Sequence, residues 1–98
     1  MATNLPVEHE EHGHRSAFFM MKDGARVAEM TFTRVNPSLV IIDHTEVSEM
    51  LKGQGAGRQL LDAAVAWGRK TNTKFIPTCP YAKAQFDKDP SIRDVLSQ

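Results

Sequence analysis

The first half of the chain alternates short apolar runs with turn residues, which is the pattern of an antiparallel sheet. Residues 16–21 are almost all apolar, and the Asp23-Gly24 pair that follows is a typical hairpin turn. The next run alternates apolar and polar residues, so we expect one of its faces to be buried. A β-branched run then ends in the polar residues 43–46. Together with the histidine-rich residues 7–14, these patterns predict a meander of three or four strands.

The second half has helical periodicity followed by another extended segment. Beyond Gly57 one apolar stripe recurs at helical spacing, which predicts an amphipathic helix packed on the sheet; its members are Leu60, Leu61, Ala64, Val65 and Gly68. Trp67 lies beside the stripe and is expected to pack at the edge of the core rather than against a ligand. The extended residues 74–78 complete a strand, helix and strand unit, which predicts a parallel strand pair. Pro80 suits the first turn of a short C-terminal helix, and Ser91 could cap a last turn.

These elements predict an α/β (α+β) fold in a single domain that spans residues 1–98. We expect a mixed sheet of about five strands, in which an antiparallel meander precedes a parallel βαβ pair, with a central helix and a short C-terminal helix. The chain carries 12 Lys and Arg against 12 Asp and Glu. This balance favours neither nucleic acid nor an acidic surface as a partner, and no apolar run approaches the roughly 18 residues of a membrane span.

The N-terminal residues and the cysteine count indicate a cytoplasmic protein. Residues 1–11 are acidic and polar, unlike a secretory or mitochondrial leader. Cys79 is the single cysteine, so no disulfide forms within the chain. On a strand His12 and His14 would share a face and His9 would point away, and no further ligands complete a metal site. We therefore expect solvated histidines on an edge strand and no bound metal.

A glycine-rich loop before the helix predicts a seat for a phosphate group. Its glycines can adopt positive φ and bring bare backbone against a ligand, and the following helix directs unpaired N–H groups at an anion. A P-loop would need Gly-Lys-Ser or Gly-Lys-Thr, and a dinucleotide fingerprint would need glycine where Arg58 stands. A plain turn between strand and helix stays open as the alternative. The loop reads Lys52-Gly53-Gln54-Gly55-Ala56-Gly57-Arg58.

Ionisable residues end the fourth predicted strand. Strict alternation would place His44 and Glu46 on one face, and Asp43, Thr45 and Val47 on the other. The ends of central strands are where open sheets carry their chemistry, although a solvated strand end explains the same residues. The fourth and fifth strands should end side by side. The side chains expected to converge there, next to the glycine loop, are His44, Glu46, Cys79 and Tyr81.

The loop resembles the acyl-CoA pyrophosphate loop of the GCN5-related N-acetyltransferases, whose pattern is Arg or Gln, two residues, Gly, one residue, and Gly or Ala. Lys52 departs from the first position of that pattern but keeps a cation there. The resemblance covers residues 15–96 and points to the short branch of the superfamily. It also rests on His44-Thr45-Glu46-Val47 before the loop and on Ile76-Pro77-Thr78-Cys79-Pro80-Tyr81 after it.

The resemblance implies a co-substrate, acetyl-CoA, and no metal. Its pantetheine arm would insert between the parted fourth and fifth strands, bonded to the backbone of Glu46 and Val47. The pyrophosphate would sit on the amides of residues 54–58. The residues implied in acetyl-CoA binding are therefore Glu46, Val47, Lys52, Gly53, Gln54, Gly55, Ala56, Gly57 and Arg58.

The resemblance also implies transfer of an acetyl group to an unidentified amine. Glu46 or His44 would be the base and Tyr81 the acid, in direct attack of the amine on the thioester. Cys79 offers a second route as nucleophile, helped by His44, unless it is a buried filler. The chain lacks length for the last two strands of larger relatives, so the acceptor side should be open or completed by a partner.

That open side allows a large or protein-borne acceptor and leaves the oligomeric state as monomer or homodimer. Two alternative functions stay open. One is an acyl-CoA or CoA-binding module with little catalysis of its own, and the other is an interaction domain without a ligand.

Overall fold

A computed structural model describes residues 5–97, and within them the predicted elements are present. The described residues do not include Met1–Asn4 or Gln98. Those residues belong to the expected domain 1–98, and the first four belong to its polar start. Two short 3₁₀ segments, Glu49–Leu51 and Pro90–Val95, accompany the main elements. The strands are β1 (Glu8–His12), β2 (Arg15–Lys22), β3 (Ala25–Asn36), β4 (Leu39–Val47) and β5 (Lys74–Pro77), and the helices are α1 (Ala56–Thr71) and α2 (Pro80–Lys88).

The strands form one sheet in the order β1-β2-β3-β4-β5, so the predicted mixed sheet is confirmed. Each neighbouring pair from β1 to β4 is antiparallel, whereas β4 and β5 are parallel because α1 crosses over between them. The predicted hairpin turn joins β2 to β3, with positive φ at Asp23 and Gly24.

Helix α1 packs its apolar stripe on one face of the sheet, and this contact forms the core. Gly68 is needed at the closest approach, because a Cβ there would lie 2.6 Å from the Phe75 ring and 2.9 Å from the Thr73 carbonyl oxygen. Trp67 packs at the edge of the core against Phe18 and Phe75, as predicted. We call the opposite face of the sheet, turned away from α1, the outer face.

The histidines near the N-terminus take different positions. The His9 ring stacks parallel on Phe18 with centroids 4.2 Å apart, so the prediction of a solvated side chain is wrong for His9. Burial lowers the pKa of His9 below its usual value. The His12 side chain is exposed as expected, whereas His14 lies in the turn after β1. Within residues 5–97 no group of His, Cys, Asp or Glu is placed to hold a metal ion.

The C-terminal segment closes the free edge of β5. Helix α2 begins at Pro80 as predicted, but Asp89 caps the segment that follows by accepting a hydrogen bond from the Ser91 N–H, so the assignment of Ser91 as the cap is wrong. Leu96 then bridges to Phe75, alongside β5. No helix in the described part of the chain has both the length and the apolar character needed to cross a bilayer.

Candidate functional site

Strands β4 and β5 part after their last paired residues, Ile42 and Pro77. The Ile42 carbonyl oxygen accepts three hydrogen bonds, from the Thr78 N–H at 3.1 Å, the Thr78 hydroxyl at 2.9 Å and the Cys79 N–H at 3.2 Å. These bonds turn the chain away from the sheet and into α2. Within residues 5–97 the backbone edge of residues 43–47 therefore has no strand beside it on the β5 side.

A β-bulge at Asp43 sets the directions of the side chains that follow. Phe32 is paired with Ile42 but Thr31 is paired with His44, so Asp43 is an extra residue in β4. The Asp43 carboxylate accepts a hydrogen bond from the Thr33 hydroxyl at 2.6 Å on the outer face. The expectation of strict alternation is therefore wrong at Asp43, because the bulge turns it to the same face as His44.

The parted end of β4 presents different residues on its two faces. Thr45 and Val47 are paired with the buried residues Met30 and Ala28, so they face α1. His44 and Glu46 project from the outer face instead. Their side chains approach to 3.6 Å between Nε2 and Oε1, and they are 56% and 72% exposed.

A cavity of about 340 Å³, the helix-side cavity, lies between the parted end of β4 and the start of α1. Tyr81 from α2 and Leu51 from the 3₁₀ segment Glu49–Leu51 also line it. Most of the residues predicted to bind acetyl-CoA contribute to its lining. The lining residues are Thr45, Val47, Leu51, Lys52, Gly53, Gly55, Ala56, Gly57 and Tyr81.

Unpaired backbone N–H groups lie at the loop end of this cavity. Gly55 caps α1 with φ +76°, a left-handed conformation that favours glycine. The first hydrogen bond of α1 runs from the Gln59 N–H to the Gly55 carbonyl oxygen at 3.0 Å. In the described part of the chain the N–H groups of residues 56–58 consequently have no acceptor. They form the kind of anion seat that the sequence predicts.

Gln54 is not available to an anion in this conformation. Its backbone N–H donates to the Leu51 carbonyl oxygen at 3.1 Å, and its side-chain amide donates to the Met50 carbonyl oxygen at 3.1 Å. Of the amides expected to bind a pyrophosphate, those at positions 56–58 are thus free, whereas the amide of Gln54 stabilises the loop.

The Arg58 side chain connects α1 to α2 instead of pointing into the cavity. Its guanidinium donates to Asp62 at 2.8 Å, to the Gln85 side chain at 3.1 Å and to Asp89 at 2.5 Å. Only the backbone of Arg58 therefore remains for an anion. The Lys52 ammonium lies at the exposed rim of the cavity, paired with Glu49 at 2.9 Å.

The contact between Arg58 and Asp89 is expected to make the free energy of unfolding depend on pH in acid. Hydrogen bonds from Ser91 and Arg58 hold the pKa of Asp89 at about 2, below the ordinary 3.8. A lowered carboxyl pKa contributes stability above the ordinary pKa, and this contribution is lost as pH falls through the folded-state value. We expect Asp89→Asn to lower the free energy of unfolding at neutral pH and to flatten its decline between about pH 4 and pH 2.

Denaturant unfolding at a series of pH values measures this effect. Asp87→Asn, two residues earlier in α2, is the matched control and should follow the wild-type curve. A curve for Asp89→Asn that runs parallel to the wild type would contradict the assignment.

The Tyr81 ring rests on the first turn of α1. A Cβ at Gly57 would lie 3.0 Å from Cζ and 3.2 Å from the hydroxyl oxygen, so only glycine lets the ring lie so close. Burial raises the pKa of Tyr81 above its usual value. The hydroxyl therefore keeps its proton at neutral pH and can donate it inside the helix-side cavity.

The four predicted catalytic residues are divided between the two faces of β4. Tyr81 lines the helix-side cavity, whereas the Cys79 thiol is buried behind Thr45, with 3.2 Å between its Sγ and the Thr45 hydroxyl oxygen. His44 and Glu46 lie on the outer face, so the expectation that all four converge beside the glycine loop is wrong in that form. The sequence analysis did not predict Thr45 as a residue that lines the cavity. The signal for it was its position between His44 and Glu46, which places it on the opposite face of the strand.

A second cavity, the outer cavity of about 270 Å³, lies at the start of β3 and the end of β4. Val47 lines both cavities, so the two adjoin across the parted strand. The carboxylates of Glu29 and Glu46 make the outer cavity acidic, and Arg26 balances part of that charge through its contact with Glu29 at 3.4 Å.

The sheet parts between β4 and β5, and a glycine loop lies at the head of the intervening helix, which is the arrangement that the resemblance leads us to expect. The family model for the GCN5-related N-acetyl-transferase matches residues 17–95. The chain belongs to the GCN5-related N-acetyltransferase family, as its resemblance indicated. No curated protein matches the chain.

Solved structures agree with this membership. A GCN5-like protein from Staphylococcus aureus, whose N-acetyltransferase activity is itself inferred, is 35% identical over 97% of this chain and 90% of its own, with a TM-score of 0.70. A GNAT family acetyltransferase from Elizabethkingia anophelis, solved with acetyl-CoA bound, has 13% identity over 86% of this chain and 71% of its own, with a TM-score of 0.64.

Tetrahymena GCN5 has 16% identity over 79% of this chain, with a TM-score of 0.63. The chain spans 51% of that protein. At these low identities the Elizabethkingia and Tetrahymena structures show a shared fold.

Proposed function

We propose that this protein is an acetyl-CoA-dependent N-acetyltransferase that acts as a single domain, residues 1–98, in the cytoplasm. The observation that carries the proposal is the helix-side cavity, which opens where β4 and β5 part and ends at the free N–H groups of residues 56–58. Membership of the family supports acetyl-CoA as the donor.

The cavity fits the charge and shape of acetyl-CoA. A pyrophosphate at the head of α1 would accept hydrogen bonds from residues 56–58 and gain from the helix dipole. The pantetheine arm would run along the open edge of residues 43–47, where it could pair with the backbone of Glu46 and Val47 as an added strand. Lys52 at the rim would supply a further positive charge.

The acceptor amine approaches from the outer face in this proposal. There the pair His44 and Glu46 contains the candidate base, and the acidic outer cavity favours a positively charged amine. No other element covers that face within residues 5–97, so a large acceptor, including a protein-borne one, has access.

Direct transfer needs one base and one acid. The amine nitrogen attacks the thioester carbonyl, so a C–N bond forms and the bond between carbon and the CoA sulfur breaks. Glu46 or His44 takes the proton from the amine, and the Tyr81 hydroxyl gives a proton to the departing thiolate. Cys79 supplies the second route, in which its sulfur receives the acetyl group before the amine does.

Equilibrium binding and turnover together test the function. We expect acetyl-CoA to bind by calorimetry, and CoA release to depend on an added amine from a panel of small diamines and a lysine-bearing peptide. CoA release is followed with a thiol reagent, with butanol in place of the amine as control. Tight binding without transfer to any amine would instead support a CoA-binding module, and no binding would contradict both functions.

A further inference from the structure

We propose that Arg58 is a positioning residue that holds the Tyr81 ring against the first turn of α1, and thereby makes Tyr81 an effective acid for the departing thiolate. The inference rests on the proposed function and concerns its direct route. Its basis is that the Arg58 side chain bonds α2 along the same stripe of residues that carries Tyr81.

Helix α2 faces the first turn of α1 with one stripe of residues. Tyr81, Gln85 and Asp89 follow one another at intervals of four residues, so they lie on one side of α2 and its C-cap. All three are half-buried. The Tyr81 ring lies over Gly57, whereas Gln85 and Asp89 accept hydrogen bonds from Arg58. Two consecutive residues of α1 therefore contact the whole stripe.

Three acceptors on two segments hold the Arg58 guanidinium. It donates to Asp62 on its own helix at 2.8 Å, to the Gln85 side chain at 3.1 Å and to Asp89 at 2.5 Å. The other oxygen of Asp89 accepts from the N–H and the hydroxyl of Ser91, at 2.9 and 2.6 Å. Because the guanidinium is a rigid planar fork, these bonds fix the position of α2 relative to the first turn of α1.

The core holds α2 on a different side. Ala82 and Phe86 are 0% and 1% exposed, and they lie on the stripe next to that of Tyr81 and Gln85. Contacts on two stripes restrict the rotation of a helix about its own axis. Tyr81 lies in the first turn of α2, so such a rotation would carry its ring away from α1. The bonds from Arg58 therefore supply the contact that keeps the ring in place.

This arrangement joins the acid to the proposed donor seat. The backbone N–H groups of Gly57 and Arg58 belong to the anion seat, and the same two residues contact the stripe that carries Tyr81. One turn of helix would thus hold both the pyrophosphate and the acid, which fixes the distance between them before the thioester reacts. Orientation of this kind raises the rate of a chemical step without a change in the affinity for the donor.

The step that gains from this position is the departure of CoA. The bond between the acetyl carbon and the CoA sulfur breaks with its electron pair on sulfur, and the Tyr81 hydroxyl proton passes to that sulfur. The phenolate regains a proton from water after CoA has left. Proton transfer needs the two heavy atoms within hydrogen-bond reach, so a displacement of the ring by about 1 Å lowers the rate.

Nuclear magnetic resonance tests the contact without any turnover. Tyr81 is the sole tyrosine, so labelled tyrosine gives the ring signals of this residue alone. The wild type should show a nuclear Overhauser effect between this ring and the Gly57 α-protons. Arg58→Lys keeps the charge without the fork, and Gln85→Met removes one acceptor, so both should weaken the effect. Ala84→Met, on the exposed side of α2, is the matched control and should retain it.

Steady-state kinetics test the consequence for catalysis. Arg58→Lys should lower kcat by about tenfold or more and Gln85→Met by about threefold or more, with the Kd for acetyl-CoA unchanged because the backbone N–H groups remain. Gln85→Glu keeps an acceptor for Arg58 and should retain the wild-type kcat. In a Tyr81→Phe background, Arg58→Lys should have no further effect on kcat, since both changes act through one hydroxyl.

Three results would overturn the positioning role. One is an Overhauser effect that Arg58→Lys and Gln85→Met both leave at wild-type strength. Another is a further loss of kcat from Arg58→Lys in the Tyr81→Phe background. The third is a kcat that both variants leave unchanged although Tyr81→Phe lowers it, and the proposed function then survives while this inference fails. A wild type that transfers acetyl to no amine would contradict the proposed function and this inference together.

Discussion

Replacing Gly57 with leucine is expected to raise the Kd for acetyl-CoA by at least about 100-fold, a loss of ~2.7 kcal/mol. A Cβ at position 57 already lies 3.0 Å from the Tyr81 ring, so a larger side chain must displace that ring or enter the helix-side cavity. Either change covers the N–H groups of residues 56–58, each of which would give a charge-assisted hydrogen bond. Calorimetric titration with acetyl-CoA measures the effect.

The matched control is Ala66→Leu, on the exposed side of the same helix. It places the same leucine side chain on α1 and should leave the Kd unchanged. Gly57 has helical geometry, and leucine is a better helix former than glycine, so circular dichroism should show α1 intact in both variants. Wild-type affinity in Gly57→Leu would mean that acetyl-CoA does not use this cavity.

Replacing Tyr81 with phenylalanine is expected to lower kcat by about 100-fold or more, within the range for loss of a general acid. Phenylalanine keeps the ring on Gly57 and removes only the hydroxyl, so the Kd for acetyl-CoA should stay close to the wild-type value. Steady-state kinetics with saturating acetyl-CoA and amine measure this separation of kcat from binding.

The pH dependence adds a check on Tyr81. Burial raises its pKa above the usual value of 10, and an acid is lost only when it deprotonates. Wild-type kcat should therefore show no fall caused by Tyr81 below about pH 10.

Trp67→Phe is the control for Tyr81→Phe, because it removes the indole N–H of an aromatic residue that does not line the cavity. A kcat that survives Tyr81→Phe unchanged would assign the acid role elsewhere.

The fold could be predicted because local patterns determine most of it. The apolar stripe of α1, the Asp23-Gly24 turn and the helix start at Pro80 each depend on neighbours within a few residues. The crossover helix then made β4 and β5 parallel. The glycine loop could also be predicted from local sequence, because glycine is the residue type that adopts positive φ most readily, as Gly53 and Gly55 do.

The details of the site were not predictable, because they depend on contacts between distant segments. The bulge at Asp43 arises from the pairing of β4 with β3, and the residue types around it do not predict it. The bulge turns His44 to the outer face and Thr45 to the face that packs against α1. It therefore determines which candidate catalytic residues lie on which side of β4. The engagement of Arg58 by Asp89 likewise joins residues that are 31 positions apart in the sequence.

The proposed function requires that acetyl-CoA binds in the helix-side cavity with its pyrophosphate on the first amides of α1. Titration of ¹⁵N-labelled protein with acetyl-CoA, followed by amide chemical shifts, tests it residue by residue. We expect the largest shifts at residues 56–58 and along residues 43–47, with small shifts in β1 and β2. Shifts confined to the outer face or to β1 and β2, or none at millimolar acetyl-CoA, would contradict it.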